Sequence, residues 1–220
     1  MSIHFHNVPA TFMAVPRAGS TSFKHWVTAN IKTCDILVDP QHRGRLAIMP
    51  LSYLQNRWGE LGTTFTFVRN PYSRLVSIFH YMGQLAEHRI DRRVRKIYDG
   101  DELSTPIESD IKILKLYNKG FAYWLEYTAN DGGSDPVMAM FLRKHTQLSW
   151  LSNTLPDIVI KLEDIHTEFI KIQDLLQCHV PLPHINTSKH HDYKEYYTES
   201  SKKVADAVCK LDLETFNYEF

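Results

Sequence analysis

Thr11-Phe-Met-Ala-Val-Pro-Arg-Ala-Gly-Ser-Thr-Ser22 is the stretch on which the fold turns. A short apolar run ends at a proline and reads as a buried strand. The chain then bends at Gly19, and three hydroxyl residues open a segment that can be helical to about Lys32. Backbone N–H groups at a helix N-terminus are unpaired and carry partial positive charge, so such a junction is an anion cradle. Glycine lets the backbone approach an oxyanion closely, and the hydroxyls of Ser20, Thr21 and Ser22 add donors. Arg17 and Lys24 can supply full charge. The pattern G-x-x-x-x-G-K-[ST] of a nucleotide-triphosphate loop is absent, so the anion must be held differently. An ordinary strand–turn–helix with a hydroxyl cap would share these local features, and the turn alone does not decide between the two.

A second junction of the same kind follows about fifty residues later. Thr63-Thr-Phe-Thr-Phe-Val68 is rich in β-branched and aromatic residues and is the clearest strand in the chain. Arg69 stands at its end, where a guanidinium can fork onto a phosphate. Asn70-Pro71 is a strong helix start, an N-cap followed by a proline that loses no needed hydrogen bond. Leu75, Val76, Ile78, Phe79, Met82, Leu85 and Ala86 then trace one buried face. Arg74 and Ser77, at i and i+3, share a side of that helix. Singly, a solvated arginine and a surface serine would be unremarkable.

Outward from these junctions, Cys34–Val38 and Asp157–Leu162 read as further strands. Helices are expected at Leu51–Trp58, Ile107–Tyr127, from Asp135-Pro136 to about Lys144, over the stripe Ile165 to Leu176, and from about Thr198 to Lys210. Residues 89–105 are charged and read as solvated helix and loop. Asp131–Pro136 and Asn186–His191 read as loops. Strands alternating with helices predict an α/β fold, a single domain over residues 1–220 with a central, largely parallel sheet flanked by helices. Ligands of such sheets bind at the carboxyl ends of the strands, which are the two junctions above.

Composition narrows the function classes. Twenty-five basic and 25 acidic side chains cancel, so a partner bound by neutralising many phosphates, as a nucleic acid is, is not expected. Cys34, Cys178 and Cys209 are odd in number and far apart, which argues against disulfides and a zinc site. His190-His191-Asp192 and the pair His4 and His6 lack further ligands at metal-site spacing; no metal is expected. The amino terminus has no basic segment leading into an apolar run, and no stretch approaches the ~20 apolar residues of a membrane span. A cytoplasmic protein is expected.

Taken together the two junctions resemble a known family. Pro16-Arg-Ala-Gly-Ser-Thr-Ser22 is similar to the 5′-phosphosulfate-binding loop of the sulfotransferases. Arg69 to Ser77 is similar to their 3′-phosphate-binding motif, an Arg and a Ser eight positions apart. The order and spacing resemble the carbohydrate branch, the chondroitin and dermatan type. Gln147-Leu-Ser-Trp-Leu151, Ile160-Lys-Leu-Glu-Asp164, His184–Ser188, Tyr196-Tyr197 and Asp212–Tyr218 extend the likeness over roughly residues 11–218.

That resemblance implies a P-loop-NTPase-like sulfotransferase fold and transfer of a sulfonate from 3′-phosphoadenosine-5′-phosphosulfate (PAPS) to an acceptor hydroxyl, with 3′-phosphoadenosine-5′-phosphate (PAP) as product. It implies a glycan acceptor. Arg17, Ala18, Gly19, Ser20, Thr21 and Ser22 would hold the 5′ end, and Arg69 and Ser77 the 3′-phosphate. Many relatives are anchored in the Golgi; without an anchor this chain reads as bacterial or viral.

The family's loop carries lysine where this chain has Arg17, so either Arg17 or Lys24 takes its part. Related enzymes place a general base, His or Glu, near the end of a second strand. The candidates here are Asp39, His42 and Glu60, with His42 favoured because it titrates near neutrality. Trp26, Trp58, Tyr81, Tyr123, Trp124 and Trp150 could line a sugar cleft, though core or rim positions are the ordinary places for them. Two rivals stand beside this reading: a sulfotransferase-like binding module without turnover, and a small-molecule kinase, which would want the missing nucleotide-triphosphate lysine.

Overall fold

The β-branched and aromatic run Thr63–Val68 forms a strand, and it is the pivot of the sheet. The computed structural model describes residues 1–37, 51–98, 108–130, 146–183 and 191–220. Contacts group them into two units. The first takes Met1–Pro71, Arg143–Thr187 and Cys209–Glu219, and the second Tyr72–Leu142, Ser188–Val208 and Phe220, so far as these residues are described.

The first unit is built on a five-stranded sheet. Its strands are β1 (Ser2–Phe5), β2 (Ala10–Met13), β3 (Cys34–Leu37), β4 (Thr63–Val68) and β5 (Ile158–Lys161), in the spatial order β3-β1-β2-β4-β5. β2, β4 and β5 are parallel, as an α/β fold requires. β1 runs antiparallel to both β2 and β3, so the sheet is mixed. The amino-terminal hairpin went unread in the sequence. Its alternation is nonetheless plain: Ile3 and Phe5 are buried, while His4 and His6 point to the opposite face.

One side of the sheet is aromatic. Phe5, Phe12, Phe65 and Phe67 meet Phe23 and Trp26 of α1 (Ser20–Asn30) and Phe169 behind β5. Phe23 alone has six aromatic rings around it. Truncating a residue so placed typically costs about 3–5 kcal/mol, so the first turn of α1 is held firmly onto the strands. On the other side Met13, Val15, Leu54, Val68, Leu148, Trp150, Leu151 and Phe216 form a second core.

β2 and β4 are also locked in register by polar contacts. The Thr66 hydroxyl donates to the Met13 carbonyl (2.6 Å), and the Thr63 N–H donates to the Pro9 carbonyl (2.8 Å). Gly62 lies against the same Pro9 carbonyl.

The second unit is helical. α3 (Pro71–Tyr98) starts at the expected proline and runs on through residues 89–98, the described part of the charged stretch expected as helix and loop. Its buried stripe is the expected one, Leu75, Val76, Ile78, Phe79, Met82 and Ala86, and Leu85 lies partly exposed beside it. The helix expected over Ile107–Tyr127 is broken at Lys119-Gly120 into α4 (Glu108–Asn118) and α5 (Phe121–Asn130). Phe79, Phe121 and Trp124 pack as an aromatic cluster between α3 and α5. Val38, the helix from Asp135 to Lys144 and the loops Asp131–Pro136 and Asn186–His190 lie outside the described residues.

Among the remaining elements, α2 (Leu51–Trp58) is the expected helix, α6 (Gln147–Trp150) is a single turn, α7 (Ile165–Glu168) and α8 (Ile170–Leu175) follow β5, and α9 (Glu199–Phe216) extends six residues past the expected end. Tyr123 is exposed, whereas Trp26, Trp124 and Trp150 are core residues rather than cleft walls. No helix of the described residues is long and apolar enough to cross a membrane.

Candidate functional site

The turn between β2 and α1 has unusual backbone geometry. Arg17 has φ +68° and Gly19 φ +85°, while Ala18 between them is not in the left-handed region. Alternating hand in successive residues turns their N–H groups toward one concave side, an arrangement that binds anions. A non-glycine residue held left-handed costs of order 1–3 kcal/mol and persists only where its surroundings impose it. Ala18 and Val15 are buried beneath the turn, and the Ala18 N–H reaches back to the Val15 carbonyl (3.4 Å). Gly19 is the N-cap of α1 and has no side chain to cap with, and the first turn of the helix holds no acidic residue. The electrostatics at this end are therefore those of the helix terminus and Arg17.

Gly19 also fixes where the turn lies. A Cβ there would stand 2.9 Å from Leu162 Cδ1 and 3.8 Å from Phe67 Cδ2. The cradle thus rests on the carboxyl ends of β4 and β5. Arg17, Ser20 and Ser22 are half-buried, and Thr21 is exposed. Lys24 is exposed one turn along α1, where its carbonyl accepts the Thr28 hydroxyl (2.8 Å). Arg17 is the cation within the turn itself.

β4 is the parallel neighbour of β2, with Phe12 opposite Phe65. Arg69 therefore leaves the same edge of the sheet as the cradle, one strand away, and strands lie about 4.8 Å apart. It is half-buried. Both loops thus begin at one edge of the sheet, on neighbouring strands.

The Arg69-Asn70 turn is braced by groups that the sequence gives only as faint echoes. The Arg69 N–H donates to Gln147 Oε1 (2.9 Å), and Gln147 Nε2 donates to the Arg69 carbonyl (2.8 Å). A side-chain amide here does what a neighbouring strand would do. Gln147 is 0% exposed, and Asp212, 1% exposed, accepts from the N–H groups of Gln147 (2.8 Å) and Leu148 (3.1 Å). The Asn70 N–H donates to Glu163 (2.8 Å), and its side-chain amide donates to the Glu219 carbonyl (2.9 Å).

Glu163 also accepts from the Tyr218 phenol (2.8 Å). Burial, then the Glu163 and Asp164 charges, push the Tyr218 phenol well above its ordinary range, while the Arg69 guanidinium pulls the other way. Lys161 lies over the Tyr218 ring, 4.3 Å from the centroid, and donates to the Asn217 carbonyl (2.9 Å).

Asp212 had a legible signal. On α9 it continues the buried series Ser201, Ala205, Cys209 and Phe216, and a carboxylate on a core stripe must have partners.

Arg74 and Ser77 share a side of α3, as their spacing predicts. Both are buried, Ser77 completely, so neither is the solvated surface group that their types alone would suggest. Of the expected bases, Asp39 and His42 lie outside the described residues. The register places Leu37, the last residue of β3, opposite Ser2, which in turn faces Met13. β3 therefore ends at the cradle's edge of the sheet. Glu60 does not share that edge. It is exposed and precedes β4, about 20 Å of strand away from the cradle by the usual rise per residue. Among the described residues no group of three or more His, Cys, Asp or Glu side chains could hold a metal ion.

A search of the curated proteins found no match. The family model described as "Sulfotransferase family" matches residues 9–218, which takes in the turns at residues 16–22 and 69–77 together with Gln147, Glu163 and Asp212. With that match covering nearly the whole of the α/β chain, the protein belongs to the sulfotransferase family.

Proposed function

We propose that the chain transfers a sulfonate from PAPS to a hydroxyl of a glycan acceptor, releasing PAP, and that residues 1–220 serve this reaction as one domain. The observation that carries the proposal is the origin of two basic turns side by side at the carboxyl ends of the parallel strands β2 and β4. A donor with a phosphosulfate at one end of adenosine and a phosphate at the other fits such a pair. The glycan acceptor rests on the likeness of the motifs to the carbohydrate branch.

On this reading the amides around Gly19, with Arg17, Ser20, Thr21 and Ser22, hold the phosphosulfate. Arg69 and Ser77 hold the 3′-phosphate. Ser77 is enclosed, so most of the discrimination falls to the half-buried Arg69. The acceptor oxygen forms a bond to sulfur as the bond from sulfur to the 5′-phosphate oxygen breaks. The acceptor proton passes to a base, which we assign to His42. Arg17 balances the charge gathering on the departing phosphate. Positioning and fixed dipoles supply most of the rate in such displacements.

Arginine keeps the charge of the family's lysine but is planar and wider. Its left-handed backbone is tolerated equally by lysine, since both carry a Cβ. Radiolabelled sulfonate from PAPS should therefore reach a panel of glycans with the wild-type chain, and Arg17→Lys should transfer at an equal or higher rate. Binding of PAP without any transfer would mark a binding module. ATP-dependent phosphorylation of the panel would mark a kinase. Loss of all turnover in Arg17→Lys would move the neutralising charge to another group.

A further inference from the structure

Arg69 is the group on which donor recognition depends, yet its own loop is irregular. A guanidinium on a long side chain is aimed only as well as its backbone is held. After Val68 the strand ladder ends, and the Arg69 peptide groups need other partners. They find them in one buried side chain: Gln147 accepts from the Arg69 N–H at 2.9 Å and donates to the Arg69 carbonyl at 2.8 Å. Gln147 in turn stands on a one-turn helix whose first two N–H groups are taken by Asp212, at 2.8 and 3.1 Å. Gln147 and Asp212 are both essentially inaccessible to solvent.

Buried polar groups matched this completely are costly to disturb, because each orphaned partner costs about 1–3 kcal/mol. The arrangement is also directional. Only a group with an acceptor and a donor side by side can satisfy both sides of a peptide. Among side chains of this length glutamine meets that need at every pH, and glutamate only while protonated.

We propose that Gln147, oriented by Asp212, is a positioning residue that sets the aim of Arg69 and thereby the preference for a ligand bearing a 3′-phosphate. This rests on the donor reading above. Gln147 touches no ligand in this account; it acts through Arg69.

The test compares affinities for PAP and for adenosine 5′-phosphate, which lacks the 3′-phosphate, in the wild type, Gln147→Glu and Asp212→Asn. The wild type should prefer PAP strongly. Gln147→Glu keeps the shape and one acceptor. Burial and the facing carbonyl raise its carboxyl pKa, so at low pH the acid regains the donor and at high pH the carboxylate opposes the Arg69 carbonyl. Its preference for PAP should match the wild type at low pH. It should fall about tenfold relative to wild type as pH rises, while affinity for adenosine 5′-phosphate changes less than twofold. Asp212→Asn should lower the preference at all pH values.

A preference that survives in both variants, with no added pH dependence, overturns the inference alone. Equal losses for both ligands, or failure of both variants to fold, would assign the pair to stability and overturn it too. No preference in the wild type would remove the donor reading, and the inference with it.

Discussion

Arg69→Ala is expected to weaken PAP binding by on the order of 100-fold. The backbone of residue 69 keeps its bonds to Gln147 in the variant, because both use main-chain atoms. What is lost is a charge able to fork onto a phosphate. Truncating one partner of a hydrogen-bonded charge pair typically costs 2–5 kcal/mol. The half-buried position argues for the middle of that range, about 3 kcal/mol, or two decades at 1.4 kcal/mol each. Calorimetric titration reads this directly. Unchanged affinity would take Arg69 out of the ligand site.

Gly62→Ala is expected to have the largest effect on stability. Gly62 has φ +63°, and a Cβ there would stand 1.8 Å from the Pro9 carbonyl oxygen, a contact that only a backbone shift can relieve. That shift must break the Thr63 to Pro9 hydrogen bond, which starts the β2–β4 pairing. A loss of about 4 kcal/mol belongs to this class of mechanism. In a chain of this length it lowers the melting temperature by about 8–16 °C. Gly59 is the internal control. Its φ is +77°, but nothing lies within 4 Å of a Cβ there. Gly59→Ala should cost only the backbone term, about 1–2 kcal/mol. Equal losses in the two variants would show that conformation, not close approach, governs Gly62.

The contrast between these residues shows what the sequence could reveal. The turn at Arg17–Ser22 and the Arg69 junction were legible because each is a local signal, an apolar or β-branched run that stops at a residue with special backbone or charge. The α/β class followed from their alternation with helices. β1 was not legible, because four residues that pair with both β2 and β3 announce themselves only through partners distant in the chain. The break at Lys119-Gly120 was missed for a related reason: the apolar period continues across it, and only the packing of α4 on α5 shows the reversal. The bracing of Arg69 was the least legible of all. Asp212 meets Gln147 across 65 residues, and Gln147 meets Arg69 across 78, only in the folded chain. The sequence showed them as similar to family segments without showing what they do.

Charge cancellation over the whole chain likewise says nothing of where single charges stand. Arg17 and Arg69 leave one edge of the sheet, with Lys161 on the next strand. Placement, not total charge, decides what a site attracts.

The most direct measurement titrates the wild-type protein with PAP, adenosine 5′-phosphate and adenosine 3′-phosphate under one set of salt conditions. If the turns at residues 16–22 and 69–77 hold opposite ends of one molecule, PAP should bind at least 100-fold tighter than either monophosphate. At one hundred times its dissociation constant it should then stabilise the fold by about 2.7 kcal/mol, raising the melting temperature by about 5–10 °C. Equal affinity for all three nucleotides would contradict the account.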